Sequence, residues 1–201
     1  MTMCAEKSNY EVIVLFTGYS RNTEQGTQAN CTCTLLKGPK LVIIDTMTAW
    51  DGEILTKALL SNNVNCKDID FVICTHGHSD HIGCNYLFPE ATHIVGNCIS
   101  HKNNYYAHNF SDSPYKIDEN VQIIHTPGHT LQDVTVLVEN ENGITAIVGD
   151  LFENEDDLVD DTIWKNAGSD SQELQFQNRD KILEIADWIV PGHGPMFKLN
   201  K

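Results

Sequence analysis

The sequence predicts a mixed α/β layered domain, and three observations carry that prediction. Short apolar runs rich in Val, Ile and Leu recur along the chain, each stopped by Gly or polar residues. Helical spacing of apolar residues appears in two stretches, which punctuate the strands instead of gathering at one end. The chain has 201 residues and 41% hydrophobic content, the length of one large domain. A domain of that size buries roughly 70% of its unfolded surface and needs no covalent staples. A single domain over residues 1–201 is therefore expected, with residues 1–10 a loose N-terminal segment.

The elements follow in order. Glu11–Phe16 is an apolar run that stops at Thr17-Gly18, and 31–36 stops at Lys37-Gly38. Residues 41–45 run from Leu41 to Asp45, and Phe71–Cys74 runs into Thr75-His76. Later strands are predicted over 93–95, Val121–His125, 134–138, 144–149 and 188–190. The first helix, 53–62, places Ile54, Ala58 and Leu59 near one face with Leu55 beside them, and Asp51 stands where it can cap. The second helix, 172–187, places Phe176, Ile182, Leu183 and Ala186 at helical spacing. No internal repeat, low-complexity tract or Pro/Gly/Ser-rich linker breaks the chain.

Composition excludes several classes. No apolar run approaches the ~20 residues of a membrane span. The first ten residues carry Glu6 and Lys7 and no apolar core, so no secretory signal is expected there. Seven cysteines, an odd number with no Cys-x-x-Cys, argue for a reducing compartment and against a disulfide scaffold. Buried free thiols are the expectation for all of them, although Cys74 and Cys84 flank a histidine cluster and are candidates to line a site. The formal charge of −15 repels nucleic acid and anionic membranes on average.

Chemistry concentrates in the loops after four strands. They read Thr75-His76-Gly77-His78-Ser79-Asp80-His81, Thr126-Pro127-Gly128-His129-Thr130, Gly149-Asp150, and Pro191-Gly192-His193-Gly194. With this composition, His-x-His-x-Asp-His arises by chance with a probability on the order of 10⁻³. Imidazole and carboxylate are the usual ligands of Zn²⁺ and related ions. Residues two apart in an extended loop point the same way, so His76, His78 and Asp80 can converge while His81 serves a second ion. His129, Asp150 and His193 complete the set, with glycines permitting tight turns beside them.

The expected centre has His76, His78 and His129 on one ion and Asp80, His81 and His193 on the other, with Asp150 between them. Two such ions make a hydrolytic centre whose nucleophile is the hydroxide they share. Asp80 is also the candidate catalytic residue that orients it. Asp45 is read either as a carboxylate orienting a ligand histidine or as a turn or capping residue. His93 and His125 read as structural. His101 and His108 fall in a polar, Tyr-rich stretch, 100–115, that is a candidate substrate-facing loop, with His108 and Tyr105 its candidate contacts.

The order and spacing of these motifs resemble the metallo-β-lactamase superfamily from about Glu11 to Phe197. The resemblance implies a four-layer αββα sandwich with the metals at one sheet edge. It implies two zinc ions per chain, with iron or manganese as substitutes. It leaves the substrate open, because the superfamily hydrolyses lactams, thioesters, phosphodiesters and lactones and includes iron dioxygenases. With eight residues after His193, the helical C-terminal domain of glyoxalase II is not expected, nor are the inserted domains of the RNA-processing members. The C-terminal third, from Gly149-Asp150-Leu151-Phe152-Glu153 to the Ala186–Pro195 ending, resembles a stand-alone group with a glyoxalase-II-like core. That group implies a zinc-dependent homodimer of cytosol and nucleus that cleaves histone pre-mRNA 3′ ends. One departure stands out: the superfamily's usual Asp-Thr-Gly reads Asp45-Thr46-Met47 here, so the turn beside the site is expected to differ.

The leading expectation is therefore a two-zinc hydrolase of single-stranded RNA. A small thioester or ester hydrolase is the alternative, and a mononuclear iron thiol dioxygenase using His76, His78 or His129 and Asp150 is a third. No membrane partner is expected. For RNA, Lys102, Lys116, Lys165 and Arg179 are the candidate basic residues, scattered along the chain, and Tyr105, Tyr106 and Tyr115 the candidate stacking groups.

Overall fold

The computed structural model describes residues 10–200. Strand β1 (Glu11–Phe16) precedes a separate hairpin of β2 (Tyr19–Thr23) and β3 (Gly26–Asn30). Strands β4 (Cys33–Lys37), β5 (Leu41–Ile44), β6 (Phe71–Cys74), β7 (Thr92–Val95), β8 (Cys98–His101) and β9 (Asn104–Tyr106) join β1 in one seven-stranded sheet, ordered β1-β4-β5-β6-β7-β8-β9. The second sheet runs in sequence order through six strands. They are β10 (Tyr115–Lys116), β11 (Val121–His125), β12 (Val134–Asn140), β13 (Gly143–Gly149), β14 (Trp188–Pro191) and β15 (Phe197–Lys198). The helices are α1 (Gly52–Ser61), α2 (Ser79–Ile82), α3 (Thr162–Ala167) and α4 (Gln172–Ile185).

Strand periodicity explains the layers. On β5, Val42 and Ile44 face the second sheet while Ile43 faces α1, because alternate side chains leave opposite faces. On β12 and β13, Val134, Val136, Val138 and Ile147 fill the space between the sheets, whereas Leu137, Ala146 and Val148 face α4. Leu55 and Leu59 of α1 and Ile182 of α4 close the two outer layers. The result is an αββα sandwich with three apolar clusters, one between the sheets and one under each helix. Burial on both faces is why β5, β6 and β14 read as unbroken apolar runs in the sequence.

Parallel pairing positions the site. β5, β6 and β7 run parallel to one another, and β13 runs parallel to β14. Asp45, Thr75-His76, Asp150 and His193 therefore leave their strands at one end of the sandwich.

Several expectations change. Tyr10 is not loose: it is 1% exposed, and its hydroxyl donates to Asp118 at 2.5 Å. Residues 1–9 of the expected N-terminal segment lie outside the described residues. Asp51 sits at the N-cap position of α1 without capping it, because its carboxylate accepts from Thr48 N–H and the Asn30 amide instead. Ile54 and Phe176 are 53% and 50% exposed, off the buried faces predicted for them. On α4 the buried face carries Gln175 and Arg179 ahead of Ile182. Those two polar residues are spoken for: Gln175 Nε2 donates to Asp150 O and Arg179 donates to Leu151 O, both in the loop after β13.

Candidate metal centre

The ligand loops depend on two glycines. Gly149 has φ +54°, and a side chain there would run into Thr75. A Cβ on Gly192 would meet the Asp150 carboxylate. Both therefore let β13 and β14 turn tightly over the end of β6. Asp45 and Met47 also adopt left-handed backbone, with φ of 56° and 60°. Met47 therefore stands in a backbone conformation that favours glycine, at a cost of about 1–2 kcal/mol. Met47 is 1% exposed within the α1 layer, and that packing offsets the strain.

Seven side chains converge on this end. His76 Nε2 lies 2.8 Å from His78 Nδ1, and His129 Nε2 lies 3.0 Å from that same atom. Asp150 Oδ2 is 3.7 Å from His76 Nε2 and 3.3 Å from His129 Nε2. On the other side, Asp150 lies 3.2 Å from His81 Nε2 and 3.3 Å from His193 Nε2, and Asp80 Oδ2 stands 3.9 Å from both imidazoles. Two donor sets result, His76-His78-His129-Asp150 and Asp80-His81-His193, with Asp150 touching both.

These donors fit divalent metal ions. Ligands ~2.0–2.1 Å from a tetrahedral zinc stand about 3.3 Å from one another, and the distances above bracket that value. Buried His81 Nε2 and Asp150 Oδ1 also lack any hydrogen-bond partner, although they face each other. Two buried polar atoms that face each other and have no other polar partner fit a cation held between them.

The opposite ring nitrogens are held from behind. His81 Nδ1 donates to Asp45 at 3.0 Å, His129 Nδ1 to Gly168 O at 2.8 Å and His193 Nδ1 to Asn30 O at 3.0 Å. Thr75 Oγ1 donates to Asp45 and accepts from His76 Nδ1 at 3.2 Å. These partners require the tautomer that leaves each Nε2 lone pair facing the centre. Asp45 therefore holds the His81 ring and caps no helix.

Electrostatics match this arrangement. Burial, then the neighbouring His81, holds His76 well below the ordinary imidazole range, and burial and His129 lower His78. Both are thus neutral and able to ligate. Burial opposes charge on His81 and His193, but the Asp150 carboxylate outweighs it, raising His81 and pushing His193 up to about 9. Burial would raise Asp150, yet the imidazoles of His81, His193 and His76 hold it well below the carboxylate range. A cation meets the same negative field that favours protons on those two histidines.

A cleft of about 490 Å³ opens over the centre. His78, Asp80, His129, Asp150 and His193 form its floor. The β2–β3 hairpin forms one wall, and residues 153–167 form the other. His108 and Tyr105 do not line it. His108 packs edge-on against Phe110 and Tyr115 and bonds Ser113 O, while Tyr105 lies 76% exposed on the edge strand β9. The thiols of Cys74 and Cys84 are turned away and bond Asn85 and Thr48 O. Of the basic candidates, Lys102 pairs with Glu90, Lys165 with Asp161, and Arg179 is buried against Asp157; none of these, nor Lys116, lines the cleft.

Two ionisable cleft residues were not marked by the sequence. Arg21 lies on the hairpin, whose strands carry no apolar alternation to signal them. Glu153 is 4% exposed, with Oε1 unpartnered, and burial and Asp150 push its carboxyl up to about 8. Its position three residues after Asp150 was the available signal.

The sandwich and its seven convergent His and Asp side chains define a class. A metallo-β-lactamase superfamily model matches residues 26–121, and the chain belongs to that superfamily as a metal-dependent hydrolase. It is 38% identical over 199 residues to metallo-beta-lactamase domain-containing protein 1 of Xenopus laevis, covering 96% of this chain and 84% of that protein. Among solved structures, a metallo-β-lactamase from Thermotoga maritima superposes with a TM-score of 0.70 at 22% identity, over 95% of this chain and 100% of that one. A dizinc quorum-quenching lactonase in complex with its product gives a TM-score of 0.63 at 18% identity, over 85% and 74%. These structural likenesses concern the fold.

Proposed function

We propose that the protein is a two-zinc endoribonuclease that hydrolyses a phosphodiester of single-stranded RNA. The chemistry of the cleft walls carries this reading. Ser20, Asn22, Thr27, Asn154, Thr162 and Asn166 offer hydroxyls and amides, and Arg21 adds a guanidinium. Such a lining suits a hydrogen-bonding sugar-phosphate and is poor for an acyl chain like that of the lactonase product. His76, His78 and His129 would hold one ion, Asp80, His81 and His193 the other, and Asp150 both. When bound, such ions supply Lewis acidity and a water acidified toward neutral pH. Asp80, the more exposed of the two ligand carboxylates at 18%, faces the cleft and orients the attacking water. Similarity to the domain-containing protein 1 group extends the reading to a homodimer of cytosol and nucleus. Among the described residues no helix is long and apolar enough to cross a membrane.

A second reading, a hydrolase of small anionic thioesters, has its own supporting observation. Among the described residues the cleft lining holds one cation, Arg21, and no basic track. A side-by-side assay of a short single-stranded RNA and S-lactoylglutathione, with His78→Ala as control, separates the two. The ribonuclease reading expects RNA cleavage that fades as salt rises. Rapid thioester turnover with intact RNA would replace it by the second reading.

A further inference from the structure

We propose that Arg21 is the anion anchor of the cleft, binding an oxyanion of the substrate other than the reacting group. The inference rests on the hydrolase reading and adds a recognition element to it. Arg21 is the one cation lining the cleft among the described residues. Among the described residues, Lys40, Lys57, Lys102, Lys165 and Arg179 pair with acids, whereas Lys37, Lys67, Lys116, Lys181 and Lys198 form no ion pair but lie away from the cleft lining. No carboxylate among the described residues pairs with Arg21, in a chain that has 28 acidic residues.

The guanidinium is nevertheless held in place. Its Nε donates to Gln28 Oε1 at 2.9 Å, across the directly paired position of the hairpin. Its carbon sits 5.6 Å from the centre of the Tyr19 ring, two residues away on the same strand face. With Nε engaged, the two terminal amino groups remain as a planar fork, the geometry that takes a phosphate or carboxylate bidentately. The hairpin buries little and contributes almost nothing to the core, yet its last residue, Asn30, holds His193 through the backbone carbonyl. The anchor is thereby tied to the metal ligands.

Phosphate and carboxylate share this chemistry, and the test has an arm for each. The metal-loaded protein is assayed on UpUpU against UpU, which lacks a phosphate beyond the scissile one, and on S-lactoylglutathione against its diethyl ester. Arg21→Gln is expected to collapse the preference for the more anionic partner, as kcat/KM ratio, by about tenfold or more, chiefly through KM. Arg21→Lys is expected to retain part of it. The preferred pair identifies the source of the anion. Equal losses on both partners of a pair, or a fall in kcat alone, would overturn the proposal. Calorimetric titration with pUp and with glutathione reads the anchor independently of turnover. Weakening of either by about tenfold in Arg21→Gln supports it, even if neither substrate is cleaved and the hydrolase reading fails. Unchanged binding, or no binding of either by the wild type, overturns it.

Discussion

The floor of the cleft and its walls are built on opposite principles. Of the seven donors at and beneath the floor, His76, His81, His129, Asp150 and His193 are at most 8% exposed, and four of the imidazoles are fixed from behind by Thr75, Asp45 or a backbone carbonyl. In the walls, β2 is exposed at every position, and α3 is a six-residue helix. The floor is mounted on strands that also make the core, so its chemistry is inseparable from the fold. The hairpin wall hangs outside the core and can change substrate without changing stability, whereas the wall of residues 153–167 is anchored by buried Trp164 and Asp157.

That contrast can be broken at several points. The largest effect is expected at Asp150, which joins the two donor sets. Asp150→Ala should lower kcat/KM by about ten-thousandfold, ~5 kcal/mol of transition-state stabilisation, with loss of bound metal in elemental analysis. Next is Arg179, which holds both Asp157 oxygens and Leu151 O between the Phe152 and Trp164 rings. Arg179→Ala strands a buried carboxylate and should cost about 3–5 kcal/mol in denaturant unfolding, because this loop follows Asp150 directly. Asp45→Asn keeps the left-handed backbone but weakens the hold on His81, and metal affinity should fall about 10–100-fold in competition with a chelator.

A fourth prediction concerns pH. In chelator-treated protein, the Glu153 carboxyl is raised from its ordinary value of 4.5 to about 8. The folded state then holds a proton that the unfolded state has lost, so this contribution is complete below pH 4.5 and disappears as pH rises through about 8. Glu153→Gln should flatten the fall in thermal stability across that window. The smallest effect belongs to the wall: Thr27→Ala should shift stability by no more than about 0.5 kcal/mol and leave metal content unchanged.

The same contrast explains what could be read in advance. Strands such as β5 and β6 were legible because burial on both faces leaves unbroken apolar runs. The convergent donor cluster was legible because three histidines and an aspartate fall within six residues. The hairpin was not, since neither of its faces is buried and no alternation marks it. Phe176 misled because the buried face of α4 is set by hydrogen bonds to the Asp150 loop, which demand Gln175 and Arg179 and leave Phe176 outside. Met47 departs from the superfamily pattern in residue type, and its left-handed backbone is held by packing in the α1 layer. His108 and Tyr105 have suitable chemistry, but sequence cannot say which edge of the sheet a loop occupies.

Metal stoichiometry tests the central claim most directly. After saturation with zinc and removal of the excess, elemental analysis should find two equivalents per chain in the wild type and about one in His193→Ala. A single equivalent in the wild type, or one iron with oxygen consumption, would contradict a floor that joins two donor sets through Asp150.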